Sequence, residues 1–216
     1  MRTVAIVSQK GGAGKTTLAI HLAASALAAG VMPLIIDTDP QATASAWGQW
    51  RKGEPPEVID SAPSRVADKI EKAAAMGAEL AIIDTPPHAD ASATKAAQVA
   101  NLILIPCRPN AFDLDAIQAT ARLVALLQKP AFVVFMAGPS RAPRLYEEAG
   151  EVVANLGLSV APRIISDRAA FRHATAEGKT AIETDPQGKA AEEMRSLYMW
   201  VCEQLNMFQR ETVSVR

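Results

Sequence analysis

Cysteine is scarce in this chain: two residues, Cys107 and Cys202, stand far apart and outside any Cys-x-x-Cys spacing. That excludes a disulfide framework or a zinc site and reads as two reduced thiols. The three histidines, His21, His88 and His173, are scattered and suggest no metal centre. Excess charge of either sign is lacking too, since the formal net charge is −1. No global basic field therefore marks a nucleic-acid binder, and any DNA or membrane contact would have to rest on a local patch. No apolar run is long enough to span a bilayer. The opening MRTVAIVSQKGG has too short an apolar stretch for a signal peptide and lacks its cleavage region. A cytoplasmic protein is the expectation.

What is there is an alternation of two periods. TVAIVS (3–8), PLIID (33–37), LAIID (80–84), LILIP (102–106) and AFVVFMA (131–137) read as strands buried on both faces. Helical stretches lie between them. TTLAIHLAASALAAG ends at Gly30, and SRVADKIEKAAAMG starts on a capping serine and ends at Gly77. DLDAIQATARLVALL (113–127) puts Leu114, Ile117, Ala121 and Val124 on one face. PRLYEEAGEVVANLG does so with Leu145, Ala149, Val152 and Leu156, and a last helix near 188–206 with Met194, Leu197, Val201 and Leu205. The pattern predicts a doubly wound, mostly parallel α/β sheet flanked by helices. One domain over residues 1–208 is expected, with 209–216 a loose tail.

The stretch SQKGGAGKTT (8–17) lies between the first strand and the first helix. Its glycines let backbone N–H groups turn inward around phosphate oxygens, and the helix start adds its dipole. Gly11, Gly12, Ala13 and Gly14 would form the cradle, Lys15 would reach the β- and γ-phosphates, and Thr16 would hold Mg²⁺. Thr17 is placed for the α-phosphate. Where the G-x-x-x-x-G-K-[ST] pattern wants its first glycine, this chain has Lys10.

Two acidic segments complete a hydrolytic site. LAIIDTPP supplies Asp84 at the end of a buried strand, the place for a carboxylate that holds Mg²⁺ through water. IIDTDPQ supplies Asp37 and Asp39, one to support the metal shell and the other to orient or deprotonate an attacking water. An Asp-rich turn capping the next helix is a compatible, blander role.

Lys10 precedes the curl of the loop, so its side chain projects away from the phosphates that the loop encloses. Reaching a nucleotide held by a second subunit would give that cation a task. KGGAGKTT, DTDPQ and DTPP, in that order, resemble the deviant Walker A ATPases of the ParA/MinD group. The resemblance runs on through IPCRPNAFDLDA (105–116) and RIISDRAAFRHATAEGKTAIETDPQGKAAEEM (163–194). It is strongest to short plasmid-partition ATPases without an N-terminal helix-turn-helix domain. The resemblance implies a P-loop fold, ATP and Mg²⁺, and a homodimer bridged by ATP. It makes Lys10 the lysine that crosses the dimer, Lys15 a phosphate ligand, Asp39 the residue that positions water and Asp84 the Walker B acid. Asp167 and Arg168 fall in the block that walls the adenine site. The chain departs from many relatives at AGPSR (137–141), where they carry Asn or Thr.

The resemblance also implies non-specific DNA binding and a cargo-bound adaptor that stimulates hydrolysis, with the ATP form associated with the nucleoid. The basic residues offered for DNA are Arg163, Arg172, Lys179, Lys189 and Arg195, with Arg141, Arg144 and Arg168 nearby in sequence. Pairing with Glu147, Glu148, Glu192 and Glu193 is the alternative for these side chains. The tail MFQRETVSVR lacks an amphipathic face, which disfavours a membrane partner and a MinD-like division regulator. A metabolic or cofactor-assembly ATPase or ligase on the same fold is the other alternative. Trp47 and Trp50 read as packing residues.

Overall fold

The computed structural model describes residues 1–87 and 90–207; His88 and the tail at 209–216 lie outside them. β1 (Arg2–Ile6) runs into the glycine loop and then α1 (Lys15–Ala28). β2 (Pro33–Asp37), α2 (Thr43–Trp50) and β3 (Glu57–Asp60) follow. A short 3-10 turn at Pro63–Arg65 leads into α3 (Val66–Ala75), β4 (Leu80–Asp84), α4 (Asp90–Val99) and β5 (Leu102–Cys107). α5 (Ala111–Ala116) and α6 (Gln118–Leu127) precede β6 (Ala131–Gly138) and α7 (Pro143–Asn155). After β7 (Ser159–Val160) and β8 (Ile165–Ser166) come α8 (Ala169–Ala176), α9 (Ala181–Thr184) and α10 (Lys189–Gln204).

Among the described residues every strand pairing is parallel, in the order β3-β2-β4-β1-β5-β6-β7, with β8 also on β6. Parallel strands need crossover helices, and these cover both faces. Along β1 and the residue after it the side chains alternate: Val4 and Ile6 join the α1 and α10 side, while Ala5 and Val7 join the opposite side. The first layer closes through Leu18, Leu22, Met194, Leu197 and Val201, all buried. From β1 the chain crosses to β2 on one side of the sheet, and from β5 to β6 on the other. The strand order therefore reverses between β1 and β5, and a crevice opens there at their C-terminal ends.

The doubly wound sheet and its five central strands stand where the apolar runs predict them. Several details differ. β3, β7 and β8 are additional strands: β3 lies at the sheet edge and is only half-buried, and the other two are two residues long. Ser64 caps no helix; it sits inside the 3-10 turn begun by Pro63, and α3 starts at Val66. The segment expected as one helix at 113–127 starts earlier, because Asn110 caps Asp113 N at 3.0 Å and begins α5 at Ala111, and it is divided at Ile117 into α5 and α6. α7 turns Ala149 and Val153 inward, leaving Val152 41% exposed, because helical spacings of three and four fit the same pattern. Cys107 and Cys202 are free thiols, both buried.

Candidate functional site

The glycine loop occupies the crevice between β1 and β5. Gly14 serves as N-cap of α1 at φ 98, a left-handed conformation that side chains resist. A Cβ there would also stand 3.1 Å from the Met136 Cε, so glycine meets both demands. Gly12 is left-handed too, at φ 72. Gly11 and Gly12 face solvent, Ala13 is buried, and Thr16 and Thr17 are half-buried at the helix start.

Lys15 is 7% exposed and donates its ammonium to the Lys10 carbonyl oxygen at 3.1 Å. Burial lowers its pKa from the ordinary lysine value, against the opposing charges of Asp84 and Asp39. The Lys10 side chain is half-exposed and has no carboxylate partner among the described residues.

Thr16 Oγ1 donates to Asp84 Oδ2 at 2.7 Å. Asp84 itself is 1% exposed, and its other oxygen, Oδ1, has no protein partner among the described residues. Burial pushes this carboxyl up to about 7; the Thr16 hydrogen bond opposes the shift and the neighbouring charges of Asp37 and Asp39 add to it. A buried carboxylate with one empty lone-pair direction, beside a threonine hydroxyl, fits the outer shell of a hydrated Mg²⁺. Among the described residues no three His, Cys, Asp or Glu side chains cluster to cage an ion alone. A cation here would accordingly rely on Thr16, water and phosphate oxygens.

Asp37 and Asp39 are together in space but differ in what remains free. Asp37 is buried and fully engaged: Oδ1 accepts from Asp39 N at 3.0 Å, and Oδ2 from Ser45 N and Ser45 Oγ at 2.9 and 3.0 Å. Those bonds fasten the loop to the first turn of α2, whose N-cap is Ala42 without a side-chain cap, so Asp37 rather than the Asp39-Pro40 turn ties this segment to the helix. Asp39 is half-exposed and uses Oδ1 to accept from Gln41 N at 2.9 Å, with no partner for Oδ2 among the described residues.

Beside the loop opens a cleft of about 310 Å³ lined by Gly12, Gly14, Thr17, Arg108, Met136 and Phe171. Asp167 and Arg168 line it as well, so the sequence-expected wall and the phosphate loop share one cavity. Arg168 is tied to Glu193 at 2.6 Å, and Asp167 pairs with Arg172 at 2.6 Å. A larger groove of about 420 Å³ lies between α5 and α7 and is lined by no residue of the glycine loop.

Arg108, Met136 and Phe171 escaped the sequence reading. The signal for Arg108 lay in strand order: a loop after β5 must flank the loop after β1 when the two strands pair. His21 escaped too. It is buried one helical turn behind Thr17, whose carbonyl lies 2.9 Å from Nδ1, and its ring meets Phe171 edge-on at 4.9 Å. Since the carbonyl can only accept, Nδ1 carries the proton.

The offered DNA residues sit on several elements. Arg163, Arg172, Lys179 and Lys189 are exposed, and Arg195 donates to the Pro186 carbonyl at 2.7 Å. Trp47 is buried as expected of a packing residue and donates Nε1 to the Lys179 carbonyl at 3.3 Å; Trp50 is 54% exposed.

Fold and crevice together define a phosphate-loop nucleotide-binding protein of the doubly wound class. The family model for the CobQ/CobB/MinD/ParA nucleotide binding domain matches residues 4–193, and the chain belongs to that family. It is a deviant Walker A ATPase of the ParA/MinD type. The chain is 32% identical over 210 residues to the Maintenance of carboxysome distribution protein A of Gloeobacter kilaueensis, covering 95% of this chain and 94% of that one. It is 32% identical over 159 residues to Protein ParA of Rhizobium radiobacter, covering 69% and 70%. The septum site-determining protein MinD of Pyrococcus horikoshii, complexed with Mg-ADP, superposes at a TM-score of 0.75 over 97% of this chain and 99% of that one; at 17% identity this likeness is one of fold. Among the described residues no helix is long and apolar enough to cross a membrane.

Proposed function

We propose that the protein is an ATP-driven switch that positions or partitions a cellular cargo in the cytoplasm, by dimerising around ATP and binding DNA without sequence preference. The observation that carries the reading is the pair Thr16 and Asp84 beside a buried Lys15, with Asp84 Oδ1 left without a protein partner. The names of the relatives, carboxysome distribution and ParA, support cargo positioning and leave plasmid, chromosome region and protein assembly as candidate cargoes. The short plasmid-partition type is one of these.

In this reading residues 1–208 act as one ATPase domain. Gly11 to Gly14 cradle the phosphates, Lys15 neutralises the β- and γ-phosphates, and Thr17 faces the α-phosphate. Thr16 and Asp84 hold Mg²⁺, which supplies charge neutralisation to the phosphates; Asp37 supports that shell by fixing the switch loop. Asp39 orients the water that attacks the γ-phosphorus, and Lys10 crosses to the partner subunit's nucleotide. Asp167 and Arg168 wall the base. An adaptor on the cargo stimulates a slow turnover and so releases the dimer from the nucleoid.

Binding of the pure protein to random-sequence duplex DNA, with ATP, with ADP and without nucleotide across a salt series, tests it. ATP-specific, salt-sensitive binding is expected. Turnover of ATP with no DNA binding under any condition would favour an assembly enzyme or ligase on this fold.

A further inference from the structure

Three arginines line the cleft beside the phosphate loop: Arg108, Arg168 and Arg172. Two of them are already committed. Arg168 gives Nε and Nη2 to Glu193 at 3.0 and 2.6 Å, and Arg172 gives Nη1 to Asp167 at 2.6 Å. Arg108 has no carboxylate partner among the described residues. It is the cation in this cavity whose charge no described carboxylate answers.

Its position follows from topology. β5 pairs with β1, so the residues leaving the C-terminal end of β5 lie alongside the loop that leaves β1. Arg108 is the first of them, directly after Cys107. Its backbone is fixed there: the carbonyl accepts from Asn110 N at 2.8 Å and from the Cys107 thiol at 3.2 Å. The side chain then extends over the glycine loop, where a Cβ built on Gly12 would stand 4.0 Å from Nη2. Lys15, the first residue of α1, keeps its ammonium on the Lys10 carbonyl of the same loop.

We infer that Arg108 binds the phosphate chain of the nucleotide, as a second cation of the glycine loop besides Lys15. The inference rests on the reading that this crevice holds the nucleotide. A guanidinium offers several donors in one plane and keeps its charge at any working pH, which suits the non-bridging oxygens of a di- or triphosphate. Gly12 is favoured by its left-handed φ of 72, and it lies in van der Waals reach of the Arg108 guanidinium.

The test uses the full chain with Mg²⁺ and three probes: ADP, inorganic pyrophosphate and adenosine, with affinities from calorimetry or competition. Arg108→Ala is expected to weaken ADP and pyrophosphate by about tenfold while leaving adenosine within about twofold. Arg108→Lys should recover part of the loss by restoring the charge without the fork. Thermal melts of both variants should match the unaltered chain, since the side chain is exposed. Unchanged ADP and pyrophosphate affinity in Arg108→Ala would overturn the inference. So would an equal loss for adenosine, which would place the residue at the sugar or base. Failure of the unaltered chain to bind either ADP or pyrophosphate would remove the nucleotide reading itself, and this inference with it.

Discussion

The Lys15 ammonium rests on the carbonyl oxygen of Lys10, 3.1 Å away, so the two lysines of the loop meet through the backbone of one and the side chain of the other. Lys15 is buried in the loop, whereas the half-exposed Lys10 side chain has no carboxylate partner among the described residues. Truncating each should therefore have unequal effects. Lys15→Ala is expected to lower ATP affinity and turnover by ~100-fold or more, since it removes a charge facing the phosphates. Lys10→Ala should hold nucleotide affinity within a few-fold of the parent and lose the dimer-dependent part of turnover. Equilibrium nucleotide binding and light scattering with ATP separate the two. Equal dimerisation by Lys10→Ala and the parent would remove the intersubunit role.

The Asp39 side chain accepts one local hydrogen bond, from Gln41 N, and Asp39→Asn can keep that bond while losing the charge. If the carboxylate orients water, Asp39→Asn and Asp39→Ala should both cut turnover by ~100-fold and leave ATP affinity nearly unchanged. A dimer that persists on gel filtration with ATP is the expected signature. Rapid turnover in either variant removes Asp39 from the chemistry.

Arg51 joins the helix after the switch loop to the C-terminal block. Its guanidinium donates to both Glu183 oxygens at 2.7 and 3.2 Å and to the Gly178 carbonyl at 2.9 Å, and it lies 4.8 Å from the Trp47 ring centroid. Glu183 in turn accepts from Thr180 N and Oγ1, both at 2.7 Å, so removing Arg51 strands a carboxylate that also caps α9. With Arg51 2% exposed and Glu183 31%, Arg51→Ala should cost about 3 kcal/mol in chemical denaturation, and Arg51→Lys less. A loss under ~0.5 kcal/mol would show that solvent answers Glu183 equally well.

How much of this was legible in sequence follows from how local each feature is. The phosphate loop is ten consecutive residues between a strand and a helix, so its glycines and lysines could be read in place. β1, β2, β4 and β5 announced themselves because strands buried on both faces are apolar throughout. β3 could not do so: Glu57 and Asp60 are exposed at a sheet edge, and its partner is set by the crossover through α2. Arg108 and Gly12 lie far apart in the chain, and pairing of β1 with β5 brings them together. Arg51 and Glu183, 132 residues apart, carry no periodic signal at all. The acids stand out as types at strand ends, but the folded chain decides that Ser45 and Asp39 N occupy both oxygens of Asp37 while Thr16 leaves one of Asp84 free.

Asp84 gives stability a definite slope with pH. Its carboxyl stands at about 7 in the folded chain against an ordinary value of 3.8, chiefly because burial disfavours the charged form. Between those values the folded state holds a proton that the unfolded state has released, so stability is greatest below pH 3.8 for this group and declines as pH rises through 7. His21 acts in the opposite sense, its pKa lowered from 6.5 to about 4 by burial, and its contribution is lost as pH falls through 4. The two oppose each other below pH 6.5, so the clean window lies above it. There, nucleotide-free parent protein should lose stability between pH 6.5 and 8 while Asp84→Asn stays flat, with an advantage of about 5 °C in melting temperature for the variant at the upper end. Saturating Mg²⁺ and nucleotide should reverse the order, because a cation beside Oδ1 stabilises the carboxylate and has nothing to stabilise in the amide. If parent and Asp84→Asn respond alike to pH and to Mg-nucleotide, the unpartnered oxygen of Asp84 is not where the cation acts.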